Sequence, residues 1–194
     1  MGTVTSTYDL VYGNHNPSIS WIDTTKNKRY FGASLLQNYG IVGCGKYAEV
    51  RLMKHNTNNL FYAVKRLEKK KIYEIQNVEK VENEIRILNS LDHPFIIGFY
   101  NAFQNVAHVC LVTEYCVGGE LFHRMQTRGG HFEVKEAIFY ASEIALALSY
   151  LHEERGVVWR DLKPENILIA DNGHVKLGEK EEEILINTIL PSCE

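Results

Sequence analysis

The chain has 194 residues, of which 45% are hydrophobic and 23% are charged, and its formal net charge is −3. This composition is typical of one soluble globular domain or two small lobes, and with this net charge no overall basic field points to nucleic acid. Four cysteines are scattered without a CxxC pair, which favours a reducing compartment, the cytoplasm or the nucleus, over a disulfide framework. No apolar run approaches the ~20 residues that a membrane-spanning helix needs.

The first segment, residues 1–38, is rich in Thr, Asn, Ser and Tyr without clean periodicity. It predicts an irregular extension with a short helix near Ala33 to Gln37. Its start, Met1-Gly2 to Ser6, fits the minimal N-myristoylation pattern, so a lipid on Gly2 would bring the chain to a membrane. An unmodified polar start is the simpler reading, because so short a pattern often arises by chance.

Strands are predicted next, from Tyr39 onward. Apolar and polar residues alternate around glycines in 39–55, and a second alternating stretch, 58–67, follows an Asn-rich turn. Two further strands are predicted in 97–103 and 108–116, joined by a Gln-Asn turn.

Helical spacing dominates two other stretches, 72–91 and 133–154. Pro94 breaks the helical pattern after the first of them, since proline disfavours helical geometry in the residue before it. The apolar face of the second helix is predicted to comprise Ala137, Tyr140, Ile144, Leu148 and Leu151. A strand-rich part therefore precedes a helical part, which predicts an α+β arrangement of two lobes with a hinge near 114–119.

Small residues in the first predicted hairpin suggest phosphate binding. Gly43 to Val50 reads G-x-G-x-x-A-x-V, in which backbone N–H groups are able to approach phosphate oxygens closely. Such a hairpin is more often only a turn. Lys65 follows in an apolar strand, where it either extends to solvent or is held by a carboxylate, and Glu84 is the candidate. If these were the only clues, an unrelated surface lysine and glutamate would be the better explanation of this pair.

The stretch WRDLKPEN, Trp159 to Asn166, carries the most specific signal. It fits the pattern H-R-D-L-x-x-x-N at every specified position except the first. Asp161 is placed to accept a hydroxyl proton, Asn166 to bind a metal ion and Lys163 to neutralise a phosphoryl group in transit. A chance match behind the two other patterns is rare.

With these motifs the chain resembles the eukaryotic Ser/Thr protein kinases, and within them the AGC group that includes the cAMP-dependent enzymes. EYCVGGELF, RDLKPENILI and GHVKL carry the resemblance. It implies a kinase domain over 39–177, with a complete strand-rich N-lobe (about 39–115) and a partial helical C-lobe (about 116–177). A divergent tail, 178–194, follows. The implied reaction is transfer of the ATP γ-phosphate to Ser or Thr hydroxyls.

The resemblance also implies site residues, with ATP and Mg²⁺ as cofactors. Thr113 would border the adenine pocket, while the backbone of Glu114 and Cys116 would meet the adenine edge. The full set implied to bind the nucleotide comprises Val42, Gly43, Gly45, Val50, Ala63, Lys65, Glu84, Thr113, Glu114, Cys116, Glu120 and Leu168.

The implied catalytic residues are Asp161, Lys163 and Asn166, and Asn166 would also bind one Mg²⁺. Glu120 and Glu165 match acidic positions that receive arginines N-terminal to the phosphorylated residue in basophilic relatives. The implied partners are therefore protein substrates with basic residues near Ser or Thr, together with a regulatory subunit, and no nucleic acid.

The resemblance stops after Leu177. Where the family has the D-F-G triad, this chain has Glu179-Lys180-Glu181, so that Glu179 offers a metal-binding carboxylate on a longer side chain. The activation segment and the A-P-E motif do not follow. Two readings stay open: a truncated Ser/Thr kinase, and a catalytically inactive nucleotide-binding or decoy fragment.

We hypothesise that the tail is translated intron or an alternative terminal exon, because the family match ends abruptly at Leu177. Full-length transcripts would test this hypothesis. The resemblance further predicts that the apolar face of the second long helix through Ile144 and Leu148 lacks much of its cover.

Overall fold

The computed structural model describes residues 33–45, 48–74, 78–178 and 186–189. The predicted N-terminal extension up to residue 32, with Gly2, lies outside these ranges, as do Glu179, Lys180 and Glu181. Within the ranges, no helix is both long enough and apolar enough to cross a membrane.

The N-lobe is built on a five-stranded antiparallel sheet with the order β1-β2-β3-β5-β4. Its strands are β1 (Leu36–Cys44), β2 (Ala48–His55), β3 (Phe61–Glu68), β4 (Phe99–Gln104) and β5 (His108–Glu114). The sheet begins at Leu36, earlier than the predicted start at Tyr39, and the short helix predicted nearby is a single 3-10 turn, Ala33–Leu35. Leu36 pairs with His55 on β2 and is buried in a cluster with Tyr62 and Val64 of β3, which places it in the sheet.

Two helices complete this lobe, α1 (Lys69–Glu74) and α2 (Val78–Ser90). The apolar residues at helical spacing in this predicted helix form the inner face of α2: Val81, Ile85 and Leu88 lie in the core, and Val78 packs against it. Glu84 shares this buried face, which brings a carboxylate into the interior.

The C-lobe contains helices α3 (Leu121–Gln126) and α4 (Val134–Ser149), and the chain continues from α4 as a π turn, Tyr150–Glu154. Its short strands are β6 (Val157–Trp159), β7 (Ile167–Ile169), β8 (Val175–Leu177) and β9 (Ile186–Ile189). β7 and β8 form one antiparallel pair, and β6 and β9 form another. The predicted α+β fold, with a strand-rich N-lobe and a partial helical C-lobe, is confirmed.

The predicted inner face of α4 needs correction. Tyr140 and Leu151 are buried as expected, but Ala137 is exposed. The inner face instead includes Glu143 and Ala147. Sequence periodicity missed Glu143 because a carboxylate is normally assigned to the solvent side.

The buried Glu143 carboxylate is compensated locally. One oxygen contacts Nδ1 of His174, and the other accepts a hydrogen bond from the backbone N–H of Val175 at 2.9 Å. These contacts attach α4 to the start of β8. A buried carboxylate is tolerated when its oxygens are hydrogen-bonded in this way.

The exposed apolar surface of α4 also differs from the prediction. Ile144 and Leu148 are half-buried and pack against the core rather than lacking cover. The large apolar side chains of α4 that face solvent are Val134, Ile138, Phe139 and Leu146, which are 76%, 61%, 44% and 57% exposed. The predicted uncovered face therefore exists, but on other residues of the helix.

Backbone hydrogen bonds join the lobes at two places. The segment Phe95–Gly98 pairs with β8, since Ile97 N–H donates to the Leu177 carbonyl and Leu177 N–H to the Phe95 carbonyl, both at 2.8 Å. In the predicted hinge, Gly118 N–H donates to the Ile169 carbonyl at 2.9 Å. A Cβ at Gly118 would lie 2.7 Å from that carbonyl oxygen, so only glycine permits this approach.

Candidate active site

A cavity of about 240 Å³ lies between the sheet and the C-lobe, beside the hinge. Eleven of the twelve residues predicted to bind a nucleotide line it: Val42, Gly43, Val50, Ala63, Lys65, Glu84, Thr113, Glu114, Cys116, Glu120 and Leu168. The twelfth, Gly45, is not part of the lining. Residues separated by more than a hundred positions in the chain thus meet around one cavity.

Strand register explains much of this convergence. Lys65 on β3 pairs with Val50 on β2 and with Leu111 on β5, while Ala63 pairs with Thr113. Side chains two apart on a strand share a face, and directly paired residues point the same way. These five side chains therefore form the wall of the cavity that belongs to the sheet.

An ion pair closes the inner end of this wall. Lys65 Nζ lies 3.4 Å from Glu84 Oε1, and the two side chains are 10% and 1% exposed. Among the described residues, no hydrogen-bond donor reaches the buried Glu84 Oε2. The carboxylate holds the ammonium at the cavity, where it faces any anionic group that enters.

The loop between β6 and β7 carries the predicted catalytic residues as one cluster. Lys163 Nζ lies 2.6 Å from Asp161 Oδ2. Asn166 Nδ2 donates to the same oxygen at 2.8 Å and to the Asp161 backbone carbonyl at 3.0 Å. The contact with Lys163, assisted by Asn166, lowers the pKa of Asp161 below its ordinary value. Asp161 is therefore ionised at neutral pH, as an acceptor for a hydroxyl proton must be.

Both ends of this loop reach the cavity. Leu168, at the β7 end of the loop, lines the cavity and is among the residues predicted to bind a nucleotide. Trp159, at the β6 end, also lines the cavity but was not among them. The Trp159 indole N–H donates to the Asp161 carbonyl at 3.3 Å. Trp159 occupies the first position of the loop pattern, the one specified position that failed to match. That mismatch was the only sign in the sequence that Trp159 belongs to the site.

Other lining residues carried no separate sequence signal, because they are apolar or backbone positions within strands, helix and hinge. They are Leu88, Ile96, Ile97, Leu111, Tyr115, Val117, Gly119 and Leu177. Their side chains make the cavity mostly apolar around a few polar groups, which is the usual character of a small-molecule site.

The hinge contributes Glu114 and Cys116. Burial, reinforced by the nearby Glu114, raises the pKa of the Cys116 thiol to about 12, so the thiol is neutral and unreactive. Beyond the hinge, Glu120 forms an isolated antiparallel bridge with Leu168, which brings it beside the loop that contains Glu165. The two acidic residues predicted to receive substrate arginines thus lie on neighbouring segments.

Metal-binding groups are sparse in the part of the chain that the structure describes. It contains no group of three or more His, Cys, Asp or Glu side chains that could hold an ion. Asn166 and Asp161 supply an amide and a carboxylate side by side, and Glu179 lies outside the described ranges. The lined cavity and the buried ammonium fit an adenine nucleotide, and Asn166 with Asp161 fits part of the oxygen-ligand set of Mg²⁺.

Comparison with known proteins identifies the family. Residues 36–179 match the family described as the protein kinase domain. The chain belongs to the protein kinase family. Protein kinases generally use ATP with Mg²⁺.

Similar proteins place this kinase chain near the cAMP-dependent enzymes. It is 39% identical over 163 residues to cAMP-dependent protein kinase type 3 of Saccharomyces cerevisiae, covering 84% of this chain and 40% of the relative. It is 40% identical over 139 residues to the cAMP-dependent protein kinase catalytic subunit of Dictyostelium discoideum, covering 72% and 21%. The corresponding subunit of Schizosaccharomyces pombe is 40% identical over 154 residues, covering 79% and 29%.

The predicted resemblance to AGC-group Ser/Thr kinases is thereby confirmed. The kinase chain spans less than half the length of these relatives. Family membership follows from the matched residues, whereas the activity, substrates and partners of the whole protein require separate arguments.

Proposed function

We propose that this kinase chain binds ATP in the cavity between its lobes and serves transfer of the γ-phosphate to Ser or Thr hydroxyls. The supporting observation is a juxtaposition around one cavity: the buried Lys65–Glu84 ion pair on one side, and the cluster of Asp161, Lys163 and Asn166 on the other. A cation for phosphates and an ionised acceptor for a hydroxyl proton are the two groups that this reaction needs.

Each part of the site would bind a different part of the nucleotide or the substrate. The hinge and the sheet wall hold the adenine, Lys65 binds the α- and β-phosphates, and Lys163 neutralises the γ-phosphoryl group as it moves. Asp161 orients the substrate hydroxyl and accepts its proton. Asn166, with the Glu179 carboxylate as the further candidate, would hold Mg²⁺, which would offset the negative charge of the phosphates.

Substrate preference follows from two carboxylates. Glu120, which forms a bridge with Leu168, and Glu165, in the loop turn, are the carboxylates that would receive arginines N-terminal to the substrate Ser or Thr. Arginine pairs well with carboxylates because its donors form a planar fork. Basic-residue-containing proteins are therefore the proposed substrates.

The names of similar proteins and the state of the cysteines suggest a partner and a compartment. Two similar proteins are named as catalytic subunits, which supports a regulatory subunit as a partner. Cys44, Cys110 and Cys116 are free thiols, which is in keeping with the cytoplasm or nucleus. A lipid on Gly2 would add a membrane contact.

A second function, nucleotide binding without catalysis, rests on the sequence that replaces the D-F-G triad. Glu179, Lys180 and Glu181 stand there, so the aspartate that would bind the bridging Mg²⁺ is absent. Such a chain would retain the cavity and act as a decoy for regulators. For the isolated chain of 194 residues we expect very low or no turnover.

One experiment separates the two functions. The full chain is assayed for γ-phosphate transfer from ATP to an Arg-rich serine peptide with Mg²⁺, and in parallel for a thermal shift with ATP. Turnover that Asp161→Ala abolishes supports catalysis. A thermal shift without turnover supports nucleotide binding alone. Neither turnover nor a shift would overturn both. Lys65→Met should reduce the shift, whereas Lys71→Met, at an exposed ion pair with Glu68, should leave it unchanged.

A further inference from the structure

The rear of the hinge holds a second ion pair that joins the lobes. Lys176 Nζ, on β8 of the C-lobe, lies 2.9 Å from Glu114 Oε2 at the end of β5 in the N-lobe. The two side chains are 16% and 27% exposed, so that both are largely withdrawn from solvent. Partial burial makes such a pair stronger than a pair on the open surface.

The same carboxylate oxygen also holds the backbone behind the hinge. Gly98 N–H donates to Glu114 Oε2 at 3.2 Å, and Glu114 N–H donates to the Gly98 carbonyl at 2.8 Å. Because Lys176 and Gly98 both hold one oxygen, the Glu114 side chain is restrained from two directions. The adjoining Leu177 is bonded to Phe95 and Ile97 through the backbone, which fixes the strand that carries Lys176.

Lys176 lies outside the nucleotide cavity. Glu114 lines both this cavity and a second one of about 300 Å³ behind the hinge, whereas Lys176 lines only the second. The ion pair with Glu114 is the contact through which the Lys176 side chain reaches the hinge. The backbone of Glu114 is the part of the hinge that the family resemblance implies would meet the adenine edge.

The geometry points to Lys176 as a positioning residue for the adenine base, which acts by holding the Glu114 hinge backbone through the ion pair. This role rests on the proposed binding of ATP in the cavity. Restraining the hinge before the nucleotide arrives lowers the entropy cost of binding at the base. The effect is confined to the base end, since the phosphate end is held by Lys65 on another strand.

The test compares adenosine with ATP, because both carry the base and only ATP carries phosphates. Binding to the full chain is measured by isothermal titration calorimetry for wild type and Lys176→Met, which keeps the apolar stem and removes the ammonium. We expect the dissociation constants for adenosine and ATP to rise by the same factor, about fivefold for a partly buried charged hydrogen bond. Lys176→Arg should restore wild-type affinity within about twofold, because it preserves the ion pair.

Two control variants locate the effect. Lys65→Met should weaken ATP by a larger factor than adenosine, since it removes the ammonium that binds the phosphates. Lys71→Met removes an exposed ion pair with Glu68, 3.2 Å long and remote from the hinge, and should change neither affinity. If Lys176→Met does not yield folded protein, Glu114→Gln breaks the same pair while retaining an acceptor for Gly98 N–H. The same equal loss is then expected.

The outcomes are distinguishable. Unchanged affinities in Lys176→Met, or a loss for ATP without a loss for adenosine, would overturn the positioning role and leave the proposed function standing. A loss that Lys176→Arg does not restore would also overturn it, because the charge would not be the cause. A wild-type chain that binds neither adenosine nor ATP would overturn the proposed function and this role together.

Discussion

Replacing Lys65 by methionine is expected to destabilise the folded chain, because it leaves the Glu84 carboxylate buried beside an apolar side chain. Glu84 is 1% exposed, and its Oε2 accepts no hydrogen bond from the described residues. Lys65 therefore supplies compensation that water cannot replace. Removing one member of a buried ion pair costs about 3–5 kcal/mol, far more than the pair itself contributes relative to apolar residues.

The geometry places the expected cost at the lower end of that range. The distance between Lys65 Nζ and Glu84 Oε1 is 3.4 Å, longer than the ~2.8 Å of a strong charge-assisted hydrogen bond. The Lys65 side chain is also 10% exposed, so some hydration is already present. We expect Lys65→Met to lower the free energy of unfolding by about 3 kcal/mol, roughly a hundredfold in the unfolding equilibrium.

Urea unfolding followed by far-UV circular dichroism measures this change as a lower midpoint at similar slope. The double variant Lys65→Met/Glu84→Met is the matched control, because methionine fills a similar volume and suits a helix. It should recover most of the loss, since an apolar pair in place of a buried ion pair is about neutral. A single variant as stable as wild type, or a double variant no better than the single, would refute the reasoning.

Three further predictions follow from the site and the hinge. Carboxyl ¹³C NMR should show a pKa for Asp161 below that of an ordinary aspartate. The contacts that stabilise the ionised carboxylate are then fully present above the ordinary aspartate pKa and are lost as the pH falls through the pKa of Asp161. Lys163→Met should raise the pKa of Asp161, and the absence of a rise would contradict Lys163 as the cause of the shift. At pH 8, alkylation followed by mass spectrometry should label exposed Cys44 well before Cys116, whose thiol has a pKa of about 12; equal rates would exclude the buried position. Gly118→Ala should lower the free energy of unfolding by about 1–3 kcal/mol in urea titrations, because the new Cβ would lie 2.7 Å from a β7 carbonyl oxygen, and an unchanged midpoint would contradict that close approach.

The arrangement of the candidate site residues was predictable where chemistry imposes a local spacing. Asp161, Lys163 and Asn166 lie within one loop of six residues, and their order alone predicted the cluster that the structure shows. The ion pair of Lys65 with Glu84 was also predicted, although its members lie in different elements. An apolar strand around a lysine signals a compensating carboxylate, because an isolated buried charge is too costly.

Other features were hidden because their cause lies in contacts between distant segments. Glu143 looks like a solvent-facing residue until His174 and Val175 are seen to occupy its oxygens. Trp159 looks like a mismatch until its indole N–H meets the Asp161 carbonyl. Neither contact produces a periodic pattern in the sequence from which it could be predicted.

Sequence by itself determined the two-lobed α+β fold, the family and most of the residues around the cavity. Motif spacing and strand alternation are local properties of the chain, so they are visible in the sequence alone. Tertiary structure alone decided which side chains of α4 face inward and where the first strand begins. It also decided that Gly45 is not part of the cavity lining and that Lys176 pairs with Glu114 across the hinge. These depend on packing and charge pairing between elements, where burial of one residue is set by partners that the sequence does not place beside it.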